Sequence, residues 1–143
     1  MEISTKVFGK VNILEEDIIT FENGIIGFED LRKFVLLGSL DADEILVWLQ
    51  AVEDEKLAFV VIQPRFFNSD YRPEIKTEEV EDLHAEDQAE LLLYAIVTVP
   101  DDARKMTANL KAPVIINVKN NLAKQIVLND DRYLIKEPIL AEK

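Results

Sequence analysis

Three serines, Ser4, Ser39 and Ser69, and one histidine, His84, are the side chains on which nucleophilic catalysis could draw. None of the serines sits in a G-x-S-x-G turn, the strained strand-to-helix elbow that exposes an activated hydroxyl. His84 follows the acidic stretch Glu78-Glu79-Val80-Glu81-Asp82 and reads as a surface histidine rather than the general base of a triad. The absence of cysteine excludes disulfides, Cys-ligated zinc, iron–sulfur clusters and thiol chemistry, and one histidine cannot supply a two-His metal site. Asp41-x-Asp43-Glu44 resembles the start of a calcium loop, but Ile45 falls on a ligand position and the mid-loop glycine is missing. Gly24-x-x-Gly27 lacks both the Lys-Ser/Thr of a phosphate loop and the spacing of a dinucleotide fingerprint. The residue pattern therefore predicts no catalytic constellation, no cofactor and no metal.

The chemistry that remains is the chemistry of contact. The chain carries 16 basic and 28 acidic residues among 143, a formal net charge of −12. Binding to nucleic acid draws its affinity from Lys and Arg that release phosphate counterions, so this balance argues against a nucleic-acid partner and for a basic protein partner or plain solubility. The acid is concentrated between Glu74 and Glu90, where Glu78, Glu79 and Asp82 are candidates for an electrostatic landing site; a solvated face is the competing reading. Phe66-Phe67-Asn68-Ser69-Asp70-Tyr71 lies between Arg65 and Arg72. Neighbouring aromatics on a strand point to opposite faces, so one of the pair Phe66 and Phe67 can lie in the core and the other outside as an interface anchor, with Asp70 and Tyr71 beside them; packing of both in the core is the favoured reading. The third candidate is the bent loop Glu22-Asn23-Gly24-Ile25-Ile26-Gly27-Phe28, where Gly24 and Gly27 supply positive φ and Phe28 is expected to plug the core.

The elements that position these residues read as short strands. Ile3 to Phe8 and Val11 to Leu14 form two strands around Gly9-Lys10, and Ile18 to Phe21 a third. A helical turn is expected over 29–34 before the run Val35-Leu36-Leu37, which Gly38 closes. After an acidic turn at Asp41 to Glu44, Ile45 to Val52 and Leu57 to Ile62 form a hairpin about Glu53-Asp54-Glu55-Lys56, apolar on both faces and ended by Pro64. Thr77 to His84 is expected to be a helix of about two turns, capped by Thr77 with Val80 and Leu83 on one face. Further strands are expected at Leu91 to Val99, Pro113 to Val118, Gln125 to Leu128 and Tyr133 to Ile135, with Met106 to Leu110 ambiguous. The sum is a mainly β, antiparallel, barrel-like single domain over 1–143 with one or two short helices and a tail after Pro138 prone to fray. The N-terminus has no export-signal pattern and no apolar run has bilayer length, which together predict a cytoplasmic protein with no membrane contact.

Several strings, in order, resemble the FliW family of flagellar assembly factors. They are Phe21-x-x-Gly24-x-x-Gly27-Phe28-Glu29, the stretch from Leu49 to Pro64 followed by Asp70-Tyr71, Ala95 to Pro100, Thr107 to Pro113 and Gln125 to Leu128. The family's Gly-Leu-Pro-Gly-Phe-Glu loop reads Gly24-Ile25-Ile26-Gly27-Phe28-Glu29 here, so Ile26 stands where a φ-locking proline is usual. The resemblance implies a non-enzymatic, cytoplasmic, barrel-like protein that binds flagellin. It also implies binding to the RNA-binding translational repressor CsrA, antagonised allosterically, so that flagellin mRNA is translated when free flagellin is low. The alternative from the residues alone is a small-ligand-binding barrel, with or without catalysis, and that requires unfilled interior space.

Overall fold

The computed structural model describes residues 1–38, 46–68 and 70–139. β1 (Glu2–Thr5) and β2 (Gly9–Asn12) pair antiparallel, with Ile3 opposite Val11. β1 stops at Thr5, earlier than expected, because the Thr5 hydroxyl closes the turn. Its Oγ1 donates to the Gly9 carbonyl at 2.7 Å and accepts the Phe8 N–H at 2.9 Å.

The remaining strands are β3 (Ile19–Phe21), β4 (Lys33–Leu37), β5 (Leu46–Ala51), β6 (Ala58–Ile62), β7 (Leu91–Thr98), β8 (Thr107–Ala108), β9 (Val114–Asn117), β10 (Leu122–Gln125) and β11 (Glu137–Pro138). Seven of them close a barrel in the order β7-β6-β5-β4-β3-β10-β9 and back to β7. β3 and β10 run parallel, and the other neighbours run antiparallel. β8 pairs the far end of β7, and β11 pairs β8. A closed ring leaves none of its seven strands as an open edge.

Period-two alternation sends Phe34, Leu49, Ala51, Val61, Tyr94, Val114, Ile116 and Ala123 inward, with Phe21 and Ile25 at one end. Phe21 and Phe34 meet edge to face at 5.3 Å. The sequence reading of β5 and β6 as apolar on both faces has a direct cause: loops cover the barrel outside. Tyr71 and Leu110 pack over Ile62, Ala95 and Val97. Leu83, Ile126 and Leu128 pack over Ile115. The β1–β2 hairpin lays Ile3 and Ile13 on Val35.

The hairpin between β5 and β6 forms where expected, Trp48 opposite Val60. Its turn is tied to β4 by Glu53, whose carboxylate accepts the N–H groups of Arg32 and Lys33, both at 3.0 Å. These backbone donors, Arg32 first, together with the charges of Lys33 and Arg32, hold the Glu53 pKa below its ordinary value. A carboxyl with a lowered native pKa contributes stability that is present above the unfolded value and is lost as pH falls through the native one. Because Glu53 is exposed, we expect Glu53→Gln to cost only ~0.5 kcal/mol at pH 7, roughly 2 °C in Tm. Thermal melts of the two proteins should converge as pH falls below the ordinary glutamate range; an unchanging gap would remove the carboxylate from this account.

Elsewhere the structure departs from the sequence reading. Thr77 to His84 is not a two-turn helix but two 3₁₀ turns, Thr77–Glu79 and Glu81–Leu83, ended by His84 in the left-handed region at φ 53°. A 3₁₀ turn eclipses residues three apart, so it suits a Val80–Leu83 stripe pressed on a sheet, and eight residues are too few to sustain a helix nucleus. No helix forms over 29–34; a turn leads directly into β4. The expected strand at Gln125 to Leu128 starts three residues earlier, directly after Asn121 at φ 57°. Ile126 and Leu128 then follow the neighbouring chain irregularly, bonding the carbonyls of Pro113 and Lys111. Tyr133 to Ile135 is no strand; the Tyr133 ring packs on Tyr71, and pairing waits until β11. The acidic turn Asp41 to Glu44 lies outside the described residues, as does the tail beyond Ile139. Ile139 itself is tied by its N–H to the Met106 carbonyl.

Candidate protein-interaction surface

The Gly24–Phe28 loop is built by two backbone reversals. Gly24 has φ +67° and Gly27 φ +90°, and an Ile25–Phe28 bridge closes the bend. This reversal sends Ile25, not Phe28, into the core. Ile25 is buried, whereas Phe28 is 40% exposed and rests its ring edge-on against Phe59 at 5.2 Å. The expectation that Phe28 plugs the core is thus corrected: it sits at the rim, beside an Ile26 that is 58% exposed. The loop is held by Gln125, whose Oε1 accepts the Ile26 N–H at 3.0 Å while its Nε2 donates to the Ala112 carbonyl at 3.0 Å. Position 26 is anchored by that bond in place of a proline ring.

In the second segment the two phenylalanines do not both pack in the core, which corrects the favoured reading: a 3₁₀ turn at Pro64–Phe66, not a strand, carries them and leaves Phe66 outside. Phe66 is 47% exposed with the Arg65 guanidinium 4.9 Å above its ring. Phe67 packs onto the cluster around Ile62 and Ala95. Asp70 is exposed, its N–H bonded to Asn68 Oδ1. Tyr71 is buried, and its hydroxyl donates to the Leu110 carbonyl at 2.7 Å. Burial, with a smaller contribution from Tyr133, pushes the Tyr71 pKa well above the phenol range. Tyr71 therefore supports the segment rather than facing outward. Tyr71→Phe leaves the Leu110 carbonyl without its partner, and we expect a loss of about 1–2 kcal/mol, roughly 3–8 °C in Tm, by calorimetry. A melt unchanged within about 1 °C, well under the smallest shift expected from these magnitudes, would count against that hydrogen bond.

The acidic segment divides into carboxylates with structural partners and carboxylates facing solvent. Asp82 pairs with Lys124 of β10 at 3.1 Å. Asp87 accepts the Ala89 N–H at 3.0 Å. Glu90 is buried and meets Lys119 at 3.6 Å. Glu78, Glu81 and Glu86 are exposed, Glu79 is half-buried, and none of these four is in an ion pair among the described residues. The structure brings Asp82 beside the base of the glycine loop, since Glu22, Asn23, Asp82 and Lys124 line one small crevice. Lys124 is followed by Gln125, which holds the loop tip. The sequence reading did not anticipate that β10 joins the first and third candidates, residues about 60 positions apart.

Among the described residues, no group of three His, Cys, Asp or Glu side chains is placed to hold a metal, and no helix is long and apolar enough to cross a membrane. The barrel interior is occupied by aromatic and aliphatic side chains, and an open cleft of about 490 Å³ lies outside it, between the acidic segment and β7.

A sequence profile described as FliW protein matches residues 2–139. The flagellar assembly factor FliW of Thermoanaerobacter pseudethanolicus is 51% identical over 142 residues, covering 99% of this chain and 95% of that protein. The one from Caldanaerobacter subterraneus subsp. tengcongensis is 49% identical over the same shares of both chains. The counterpart from Bdellovibrio bacteriovorus is 44% identical, covering 99% of this chain and 81% of its own. The crystal structure of a flagellar assembly factor FliW superposes with a TM-score of 0.92 at 36% identity, covering 100% of this chain and 99% of that one. The profile match over residues 2–139, the relatives up to 51% identical over nearly the whole chain and the shared barrel place this chain in the FliW family.

Proposed function

We propose that this chain acts in flagellar assembly by being occupied: it binds flagellin, and separately the repressor CsrA, through its outer surface and without catalysis. Binding CsrA away from its RNA groove antagonises repression of flagellin mRNA. Free flagellin competes for the chain, so export of flagellin releases it to silence the repressor. The site of action is the cytoplasm. The observation that carries this reading is a filled barrel with apolar tips at Ile26, Phe28 and Phe66 facing outward, and with exposed carboxylates at Glu78, Glu81 and Glu86 that are in no ion pair among the described residues. Exposed aromatics beside arginine make interface anchors, and a surface of one charge sign steers an oppositely charged partner.

The test is a pull-down of purified protein with its cognate flagellin and, in a separate tube, with CsrA, at modest salt. Two stable complexes are expected, and neither one forming would end the proposal. If charge steers the CsrA encounter, its association rate falls with added salt while the dissociation rate changes less. An association rate indifferent to salt would remove the carboxylates from the argument.

A further inference from the structure

The ring closes, yet β7 outruns the strand beside it. β7 has eight residues, whereas the five-residue β6 pairs only with Ala95, Ile96 and Val97. Past Ile62 the chain leaves the ladder. Pro64, which continues the register opposite Leu93, opens a 3₁₀ turn and has no N–H to give. Its carbonyl already accepts the N–H groups of Phe67 and Asn68, at 3.1 and 2.8 Å. The first half of β7 thus has β9 on one side and no strand on the other.

The alternation of an antiparallel ladder fixes which backbone groups face this gap. The Val118 N–H donates to the Glu90 carbonyl at 2.9 Å, so Glu90, Leu92 and Tyr94 turn their backbone groups toward β9. Leu91, Leu93 and Ala95 turn theirs the other way, and of these only Ala95 has a β6 residue opposite. Ile115, the register partner of Leu93, faces β10 instead, as the bond from the Ile126 N–H to the Pro113 carbonyl at 3.1 Å requires. The Leu91 N–H is satisfied by the Gln88 carbonyl. The Leu91 carbonyl and both backbone groups of Leu93 are left facing a cleft of about 310 Å³, lined by residues 91–93, Gln63, Pro64, Arg65, Tyr71 and Arg72.

The charge of this cleft is opposite to that of the molecule. The chain carries a net charge of −12, yet among the described residues no Asp or Glu lines the cleft and two arginines do. Arg65 is exposed, in no ion pair among the described residues, and lies 4.9 Å above the Phe66 ring. Arg72 is held in place: its Nη1 donates to the Tyr71 carbonyl at 3.0 Å and its backbone N–H to the Tyr133 hydroxyl at 3.1 Å.

We propose that the gap beside Leu93 is a strand-addition site for an acidic peptide. An extended segment of a protein partner lies along residues 91–93 where β6 stops, and sets an Asp or Glu side chain against Arg65. Main-chain hydrogen bonds to Leu93 hold the segment, and the guanidinium selects a carboxylate over a neutral side chain. A strand advances about 3.3 Å per residue, so a cleft of this size takes two or three residues. The site lies apart from the exposed carboxylates of the acidic segment and goes beyond the two partners proposed above.

The test is an NMR titration of the native chain with the peptide acetyl-Val-Asp-Val-Asp-Val-amide. Saturable shifts are expected at the Leu93 amide and the Arg65 Nε–H, with a Kd on the order of 1 mM, as suits so short a contact. The peptide with Asn in place of Asp should bind about three- to fivefold more weakly, the scale of one partly exposed ion pair. Arg65→Gln, checked by its thermal melt, should erase that difference. The acidic peptide methylated on all its backbone nitrogens keeps its carboxylates but cannot donate, and should bind at least about fivefold more weakly, the scale of a lost hydrogen bond. Sodium acetate at equal carboxylate concentration should leave the Leu93 amide unmoved. No saturable shift at Leu93, equal binding of the Asn or methylated peptide, a preference that survives Arg65→Gln, or the same shifts from acetate overturns the site. None of these outcomes bears on the flagellin and CsrA complexes, which the pull-downs read separately.

Discussion

Gly24→Ala is expected to destabilise the protein by about 2–5 kcal/mol, from a left-handed backbone that alanine resists and from a clash the neighbourhood cannot relieve. A Cβ at position 24 would lie 2.6 Å from the Glu29 Cα and 2.8 Å from its carbonyl oxygen. Both are backbone atoms, so the loop must move rather than a side chain. Gly27 has φ +90° but open space around a Cβ, so Gly27→Ala should cost only the conformational part, about 1–2 kcal/mol. Calorimetry of the two variants should separate them, with a Tm drop of roughly 10 °C for Gly24→Ala and about half that for Gly27→Ala. Equal losses would mean that the close approach of Glu29 carries no energy. Since Ile26 and Phe28 are presented by this loop, Gly24→Ala should also disturb the exposed apolar tip, which a change in Phe28 packing on Phe59 would report.

Gln50→Glu is expected to cost about 3–5 kcal/mol at pH 7, the penalty for a buried charge with no counter-ion. Gln50 is buried at the penultimate position of β5, and its amide nitrogen lies 3.0–3.3 Å from the carbonyls of Ala51, Asp54, Glu55 and Leu57. Its Oε1 accepts the Lys6 N–H at 2.9 Å, which ties the β1–β2 hairpin to the β5–β6 turn. A carboxylate fits the space but turns a donor into a second acceptor facing carbonyl oxygens. The sign with pH follows. Burial raises the native pKa of the new carboxyl above its unfolded value of about 4.3, so the penalty is small below that value and grows as pH rises toward the native one. Urea melts of Gln50→Glu and native protein should differ least near pH 4.5 and most at neutral pH. A difference independent of pH would show that shape, not charge, sets the cost.

Gln50 also shows what a sequence conceals. A polar residue amid Leu46-Val47-Trp48-Leu49 and Ala51-Val52 is a visible anomaly, and it reads naturally as an outward-facing position on one side of a strand. Only the closed turn around it converts that amide into a junction between two hairpins. The acidic stretch behaves likewise. Its charge is legible, but the two 3₁₀ turns that replace the helix expected for Thr77 to His84 are tied to residues more than 30 positions away, Asn117 and Asn120, which both donate to the Leu83 carbonyl. The glycine loop is the reverse case: positive φ at Gly24 and Gly27 follows from their residue type, while the choice of Ile25 over Phe28 for the core does not.

Residue alternation and turn chemistry were settled locally, because each depends on neighbours within a few positions. They determine strands, hairpins, the β class and, through the ordered motifs, the family. Closure of the ring through β7 and β9, the parallel contact of β3 with β10, and the meeting of the acidic segment with the glycine loop were decided by tertiary structure alone. Those contacts join segments far apart in the chain, and their energy comes from burying Phe21, Phe34, Leu49 and Val61 in one shared interior, which no local pattern can specify.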